Sequence, residues 1–220
     1  MKKFKGIIFD FNGTLILDDE LHMRAWHKHA AEIGAAFTDD EYFLNMHGST
    51  NCLIHRYLFG RDVPKGQEKT FGSKKEIYYR EFFEQTPPPF ANGAKELLAF
   101  LDAQGIPHAV ATSSEISNVQ FFDKIYGIYD LFHGNISYDD GTVRGKPNPD
   151  IFLRAGKMLG LPMSEIITVE DSYSGAQACR AAGAGLVVGI CPRGREFFRG
   201  KEFCDSVIKD FTELEYTELF

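Results

Sequence analysis

The sequence predicts an α/β protein, a parallel sheet with helices on both faces, interrupted by an inserted all-helical block. Three observations carry this. Short apolar runs alternate with helical-period segments after residue 90, strand signals vanish between about 18 and 84, and Thr86-Pro87-Pro88-Pro89 closes that block with a stiff segment unfit for a helix interior. Strands that alternate with helices of about ten residues or more need crossover connections, so they run parallel and are covered on both faces. The core is read as 1–15 with 88–220, and the helical block as 16–87.

Residues 4–11 form an apolar, β-rich run stopped by Asn12-Gly13, which reads as a buried strand and a turn. Leu21, Ala25, Trp26, Ala30 and Ile33 then recur at helical spacing behind Asp18 and Asp19 as caps. Further helices are expected near 39–46, 50–59 and 67–84. Asn92 is placed to cap a helix carrying Leu97, Leu98 and Leu101, with Gly105 past its end. His108–Thr112 is strand-like and 115–126 helical. Asn148-Pro149 supplies a cap and first-turn proline for a helix to about Gly160. Ile166–Val169 is a strand, 174–183 a helix and Leu186–Val188 another strand.

Composition excludes several classes. A formal charge of −7 without a Lys/Arg stripe excludes a nucleic-acid binder. No apolar run approaches the ~20 residues of a membrane helix. Met1-Lys2-Lys3-Phe4-Lys5 imitates a signal peptide, but Gly6-Ile7-Ile8-Phe9 ends at Asp10, too short for its apolar region. Cys52, Cys179, Cys191 and Cys204 show no CxxC pairing and no histidine at zinc spacing, so they read as free thiols in a reducing compartment. The expectation is a cytoplasmic monomer with no membrane or nucleic-acid partner.

In an open parallel sheet, ligands bind outside the carboxyl ends of the strands. Asp10 ends the first strand, Thr112-Ser113-Ser114 the second and Glu170-Asp171 the third, while Lys146 lies in the loop Arg144–Pro149 just before a helix. A carboxylate can attack phosphorus and form an acyl-phosphate, splitting one hard displacement into two. Further acids at the same edge repel it unless a cation lies between them, so Asp10 and Asp171 together imply Mg²⁺. In an acidic chain a phosphate needs local positive potential, which Mg²⁺, Lys146 and the backbone N–H groups after Thr112 can supply.

Asp10-Phe-Asn-Gly-Thr14, Thr112-Ser113-Ser114, Gly145-Lys146-Pro147 and Glu170-Asp171-Ser172, in that order, resemble the four motifs of the haloacid dehalogenase superfamily. The likeness is to its beta-phosphoglucomutase-like phosphatase branch, and it includes Leu21–Trp26 and Asn148–Phe152. The resemblance implies a Rossmann-like core with a mobile helical cap, and hydrolysis of a small phosphorylated metabolite. It makes Asp10 the nucleophile and a Mg²⁺ ligand, the carbonyl of Asn12 a second ligand and Asp171 the third, with Glu170 direct or just behind. Thr112 and the Ser113 amide would hold phosphate, and Lys146 would neutralise it and orient Asp10. His22, His47 and Asn51 are the cap residues placed to meet substrate.

Two departures matter. The family's second aspartate, which protonates the leaving group and later activates water, is Asn12 here. An amide exchanges no proton at neutral pH, so acid–base catalysis worth ~10²–10⁴-fold is in question and reduced activity is expected. In the cap, Asn51 stands where the mutase branch carries a base for a sugar's distal phosphate, with Arg56, Lys74 or Lys75 as substitutes. That loss favours a phosphatase over a phosphosugar mutase, while an impaired phosphate-binding regulatory relative has Asn12 as its sole support against an otherwise complete site. His22, His27 and His29 share one helix at poor metal spacing and read otherwise as surface and packing residues.

Overall fold

A computed structural model describes residues 4–49, 51–64 and 71–220. The chain divides into two compact units: residues up to Ile16 with Phe90–Phe220, and Leu17–Pro89.

The first unit carries six parallel strands: β1 (Gly6–Phe9), β2 (His108–Glu115), β3 (Ile136–Asp139), β4 (Ile166–Glu170), β5 (Leu186–Ile190) and β6 (Ser206–Ile208). Their spatial order is β3-β2-β1-β4-β5-β6, that of a doubly wound Rossmann-like sheet. Its topological switch lies between β1 and β4, the strands directly followed by Asp10 and Asp171. Register aligns those ends: Phe9 pairs with Val169 on one side and Val110 on the other.

Strand alternation sends successive side chains to opposite faces. Ile8, Ala109, Ala111 and Ile166 pack with Phe152 and Ala155 of α8 (Asp150–Leu159) and Ala178 and Cys179 of α9 (Tyr173–Ala181). On the other face Phe9 meets Phe132 and Phe211 edge-on, with centroids 6.3 and 5.8 Å away. Helices α5 (Ala94–Gln104), α6 (Ile116–Tyr126) and the short α7 (Ile128–Leu131) and α10 (Tyr216–Leu219) complete this unit.

The second unit is helical: α1 (Asp19–Glu32), a short α2 (Asp39–Glu41) running into a π-turn over Tyr42–Met46, α3 (Asn51–Phe59) and α4 (Ser73–Gln85). Trp26, Ala30, Phe37, Tyr42, Met46 and Ile54 form its core.

Several local expectations need correction. Gly93, in the left-handed region at φ 78°, precedes α5, and the Asn92 side chain donates to Asp210 instead of capping. Pro149, not Asn148, precedes α8, because the Asn148 amide donates to the Gly145 carbonyl. Asp18 makes no side-chain cap bond, since its buried carboxylate accepts the Tyr79 hydroxyl. The expected 67–84 helix begins at Ser73, and residues 67–70 lie outside the described residues. Strands β3 and β6 were not anticipated.

Candidate active site

Asp10 follows β1 and is held by its own N–H, which donates to the Val169 carbonyl. The chain then folds on itself. Leu15 and Ile16 N–H groups donate to the Phe11 carbonyl, and Gly13 takes φ 74° where a side chain would be strained. Phe11 is wholly buried against Phe122, which fixes the turn and places Asn12 beside β2.

Lys146 reaches the same point from the loop before α8. Its Nζ donates to Asp10 Oδ1 at 2.6 Å and Glu170 Oε1 at 2.5 Å, and it lies 5.0 Å from the centre of the Phe152 ring. The loop is shaped by a two-pronged Arg144–Asp150 pair, with bonds of 2.9 and 2.7 Å.

Glu170 is almost fully buried, and both its oxygens are engaged. Oε1 takes Lys146, while Oε2 accepts the Ser172 N–H at 2.6 Å and its hydroxyl at 3.0 Å. The Ser172 oxygen also caps α9 by accepting the Gly175 N–H. Gly175 is required here: a Cβ at that position would sit 1.8 Å from Glu170 Oε1. Beside this carboxylate, Asp171 Oδ1 accepts the Thr14 hydroxyl at 3.2 Å. On β2, buried Thr112 accepts the Ser114 N–H, and the Ser114 hydroxyl donates to Asn12 Oδ1 at 3.0 Å. Ser113 is exposed, two residues before the end of β2.

The electrostatics follow from burial. Desolvation alone would lower the Lys146 pKa, but the Asp10 and Glu170 carboxylates outweigh it and hold the ammonium well above its ordinary range. Burial pushes the Asp10 carboxyl well above its usual range; Lys146 opposes this, while Glu170 and Asp171 reinforce it. One ammonium cannot neutralise three carboxylates, so Lys146 stays charged and the deficit falls on Asp10. Asp10, Glu170 and Asp171 each offer an oxygen within 4.8 Å of the others. A hard divalent cation takes such oxygen donors and supplies the missing positive charge, so this set fits Mg²⁺.

In the helical unit, His22 Nδ1 lies 2.7 Å from Lys75 Nζ, and the ring stacks on Tyr79 at 4.0 Å. His47 Nε2 lies 3.0 Å from Asp19 Oδ1. The Asn51 side chain lies outside the described residues. Arg56 pairs with Asp62, Lys74 with Glu32 and Lys75 with Glu76, so all three substitute bases are already engaged within this unit. His27 pairs with Asp39, while buried His29 has no hydrogen-bond partner for either ring nitrogen among the described residues.

The sequence reading brought Asp10, Asn12, Thr112, Lys146, Glu170 and Asp171 to one sheet edge, and the fold places them there. It gave no part to Thr14, Ser114, Ser172 or Gly175. All four stand inside or just after the quoted motifs, and that adjacency was the available signal.

Residues 4–183 match the haloacid dehalogenase-like hydrolases, and the chain belongs to that family. A solved haloacid dehalogenase hydrolase of Entamoeba histolytica is 32% identical, with a TM-score of 0.86 over 98% of this chain and 97% of that one. Hexitol phosphatase A of Escherichia coli is 30% identical over 190 residues, 86% of this chain and 84% of that protein. Beta-phosphoglucomutase of Bacillus subtilis is 30% identical over 195 residues, 84% of this chain and 83% of that protein.

Proposed function

We propose that the protein is a Mg²⁺-dependent phosphatase that hydrolyses a small phosphorylated metabolite, a sugar phosphate or similar, through an aspartyl-phosphate on Asp10. The observation that carries this reading is the Asp10–Lys146–Glu170 bracket at the β1/β4 switch with Asp171 beside it. The named relatives, a hexitol phosphatase and a phosphoglucomutase, support a phosphorylated carbohydrate as substrate.

Asp10, Asp171 and the Asn12 carbonyl would hold Mg²⁺, with Glu170 adjacent. The ion would neutralise phosphate oxygens and keep Asp10 anionic. The Asp10 carboxylate attacks phosphorus, and the bond from phosphorus to the ester oxygen breaks toward the leaving group. Lys146, Thr112 Oγ1 and the Ser113 N–H hold the negative oxygens in flight. Water then attacks phosphorus, the bond to Asp10 breaks, and phosphate leaves with the carboxylate restored. Both steps want a proton relay, and Asn12 can only hydrogen-bond to the leaving oxygen. Turnover therefore favours esters whose alcohols leave readily without an acid. His22, His47 and Asn51 are the proposed substrate contacts in the helical unit, and their alanine variants should raise KM.

A panel of aryl, acyl and sugar phosphates, assayed with and without Mg²⁺, tests this reading. Mg²⁺-dependent release of phosphate, lost in Asp10→Asn, is expected. If no ester turns over, the regulatory reading replaces this one. An isomeric sugar phosphate formed from glucose 1-phosphate without phosphate release would instead make the protein a mutase.

A further inference from the structure

We propose a second metal site, for a zinc-class divalent ion, formed by Asp102, His108 and His133 at the amino end of β2. This end of the sheet is opposite the catalytic acids. Asp102 lies in α5, His108 opens β2 and His133 follows α7. Their ligand atoms all lie within 4.8 Å of one another.

Distances suit one ion. Zinc bonds of about 2.0–2.1 Å in a tetrahedron set ligand atoms about 3.3 Å apart. His133 Nε2 is 2.8 Å and His108 Nε2 3.7 Å from Asp102 Oδ1, so the separations bracket that value. Half-exposed Asp102 and exposed His133 leave a path in, while His108 is buried and anchors the floor.

The bonding of His108 carries the argument further. Its Nδ1 lies 3.0 Å from the Ile106 carbonyl, the contact by which a metal-binding histidine commonly donates its spare N–H and fixes its tautomer. With the proton on Nδ1, a neutral ring would carry its lone pair on Nε2, which lies 3.0 Å from the Leu131 carbonyl oxygen and 3.7 Å from the Asp102 carboxylate. Acceptors therefore converge on one point, and a cation there satisfies them. A proton on Nε2 is the competing occupant. Imidazole ligands select zinc-like ions over Mg²⁺, so the two sites differ in the metal they take.

The test uses the whole protein with excess Mg²⁺ covering the catalytic acids, Co²⁺ as the spectroscopic probe, and Zn²⁺ titrated against a chromophoric chelator. One equivalent of Co²⁺ should give visible bands that Zn²⁺ abolishes. His133→Ala and Asp102→Asn, both at exposed positions, should weaken binding at least about tenfold with circular dichroism unchanged. Asp171→Asn should leave this binding intact, which separates the site from the catalytic one. If Co²⁺ gives no bands, or neither variant changes affinity, His108 holds only a proton and the proposal fails.

Discussion

Among the described residues two lysine side chains are almost wholly buried, one in each unit, and their surroundings differ. Lys146, 7% exposed, is flanked by two carboxylates that are themselves buried. Lys75, 5% exposed, has one partly exposed carboxylate, Glu76, and the His22 ring; the Tyr79 and Trp26 ring centres lie 5.2 and 5.7 Å away. Aromatic faces attract an ammonium but carry no charge to balance it. Lys146 is thus one member of a dense charge cluster in which carboxylates outnumber it, so an incoming anion needs a bound divalent cation beside the ammonium. Lys75 is a cation absorbed into packing. Burial alone distinguishes nothing; the count of opposing charges does.

The sharpest way to break this comparison is to remove each ammonium. Lys146→Ala should lower kcat/KM by roughly 10²–10³-fold, with KM raised and kcat lowered together. Lys75→Met should cost stability of the helical unit by about 1–3 kcal/mol, read from a denaturant midpoint. Equal damage to the chemical step in single-turnover assays would erase the distinction. Gly175→Ala comes next. Its Cβ would displace the Glu170 carboxylate and loosen Lys146 from one side. Misplacement on that scale should cost toward ~10²-fold in kcat, and a variant with full activity would show that Glu170 need not hold its place. Asn12→Asp works in the other direction. Sugar and alkyl phosphates, whose leaving groups need an acid, should gain toward ~10²-fold, and aryl phosphates should gain little in the first step. Mass-verified samples are needed, because Asn12-Gly13 is prone to deamidation.

The smallest effect concerns pH and the packing side of the comparison. Burial lowers the His29 pKa from its ordinary 6.5. Above that value the ring is neutral folded and unfolded, and it contributes no pH dependence. As pH falls through 6.5 the unfolded chain takes the proton first, so stability declines. Trp26 is the sole tryptophan and lies 5.9 Å from His29, so its fluorescence reads this loss directly. His29→Phe should flatten the dependence; an unchanged slope would place its origin elsewhere.

What was legible in the sequence follows the same physics. β1, β4 and β5 declared themselves because central parallel strands are buried on both faces and read as continuous apolar runs. Ile136-Ser-Tyr-Asp139 and Ser206-Val-Ile208 are short edge strands interrupted by Ser137 and Asp139 and opened by exposed Ser206, so they lacked that signature. Asp10 and Glu170-Asp171 were legible because a carboxylate ending an apolar strand is conspicuous. Gly175 was not, because its contribution is an absent side chain one helical turn away. Nor were Asp102 and His133, which meet His108 only after the chain has crossed from α5 through β2 to the turn after α7.

Ser172 links folding to activity. One hydroxyl oxygen receives the first-turn amide of α9 and donates its hydrogen to Glu170. Helices shorter than about 12–15 residues are marginal alone, so the nine residues of α9 depend on their surroundings to stay wound. When that first turn frays, the serine lets go, the glutamate loses two of its bonds and the lysine loses a fixed neighbour. If Lys146 and Glu170 act as proposed, activity should be lost through local opening at α9 before global unfolding. On gentle warming the enzyme should fall silent while its sheet is still intact. A bound phosphate analogue should slow hydrogen exchange at the Gly175 amide more than at the amides of β5.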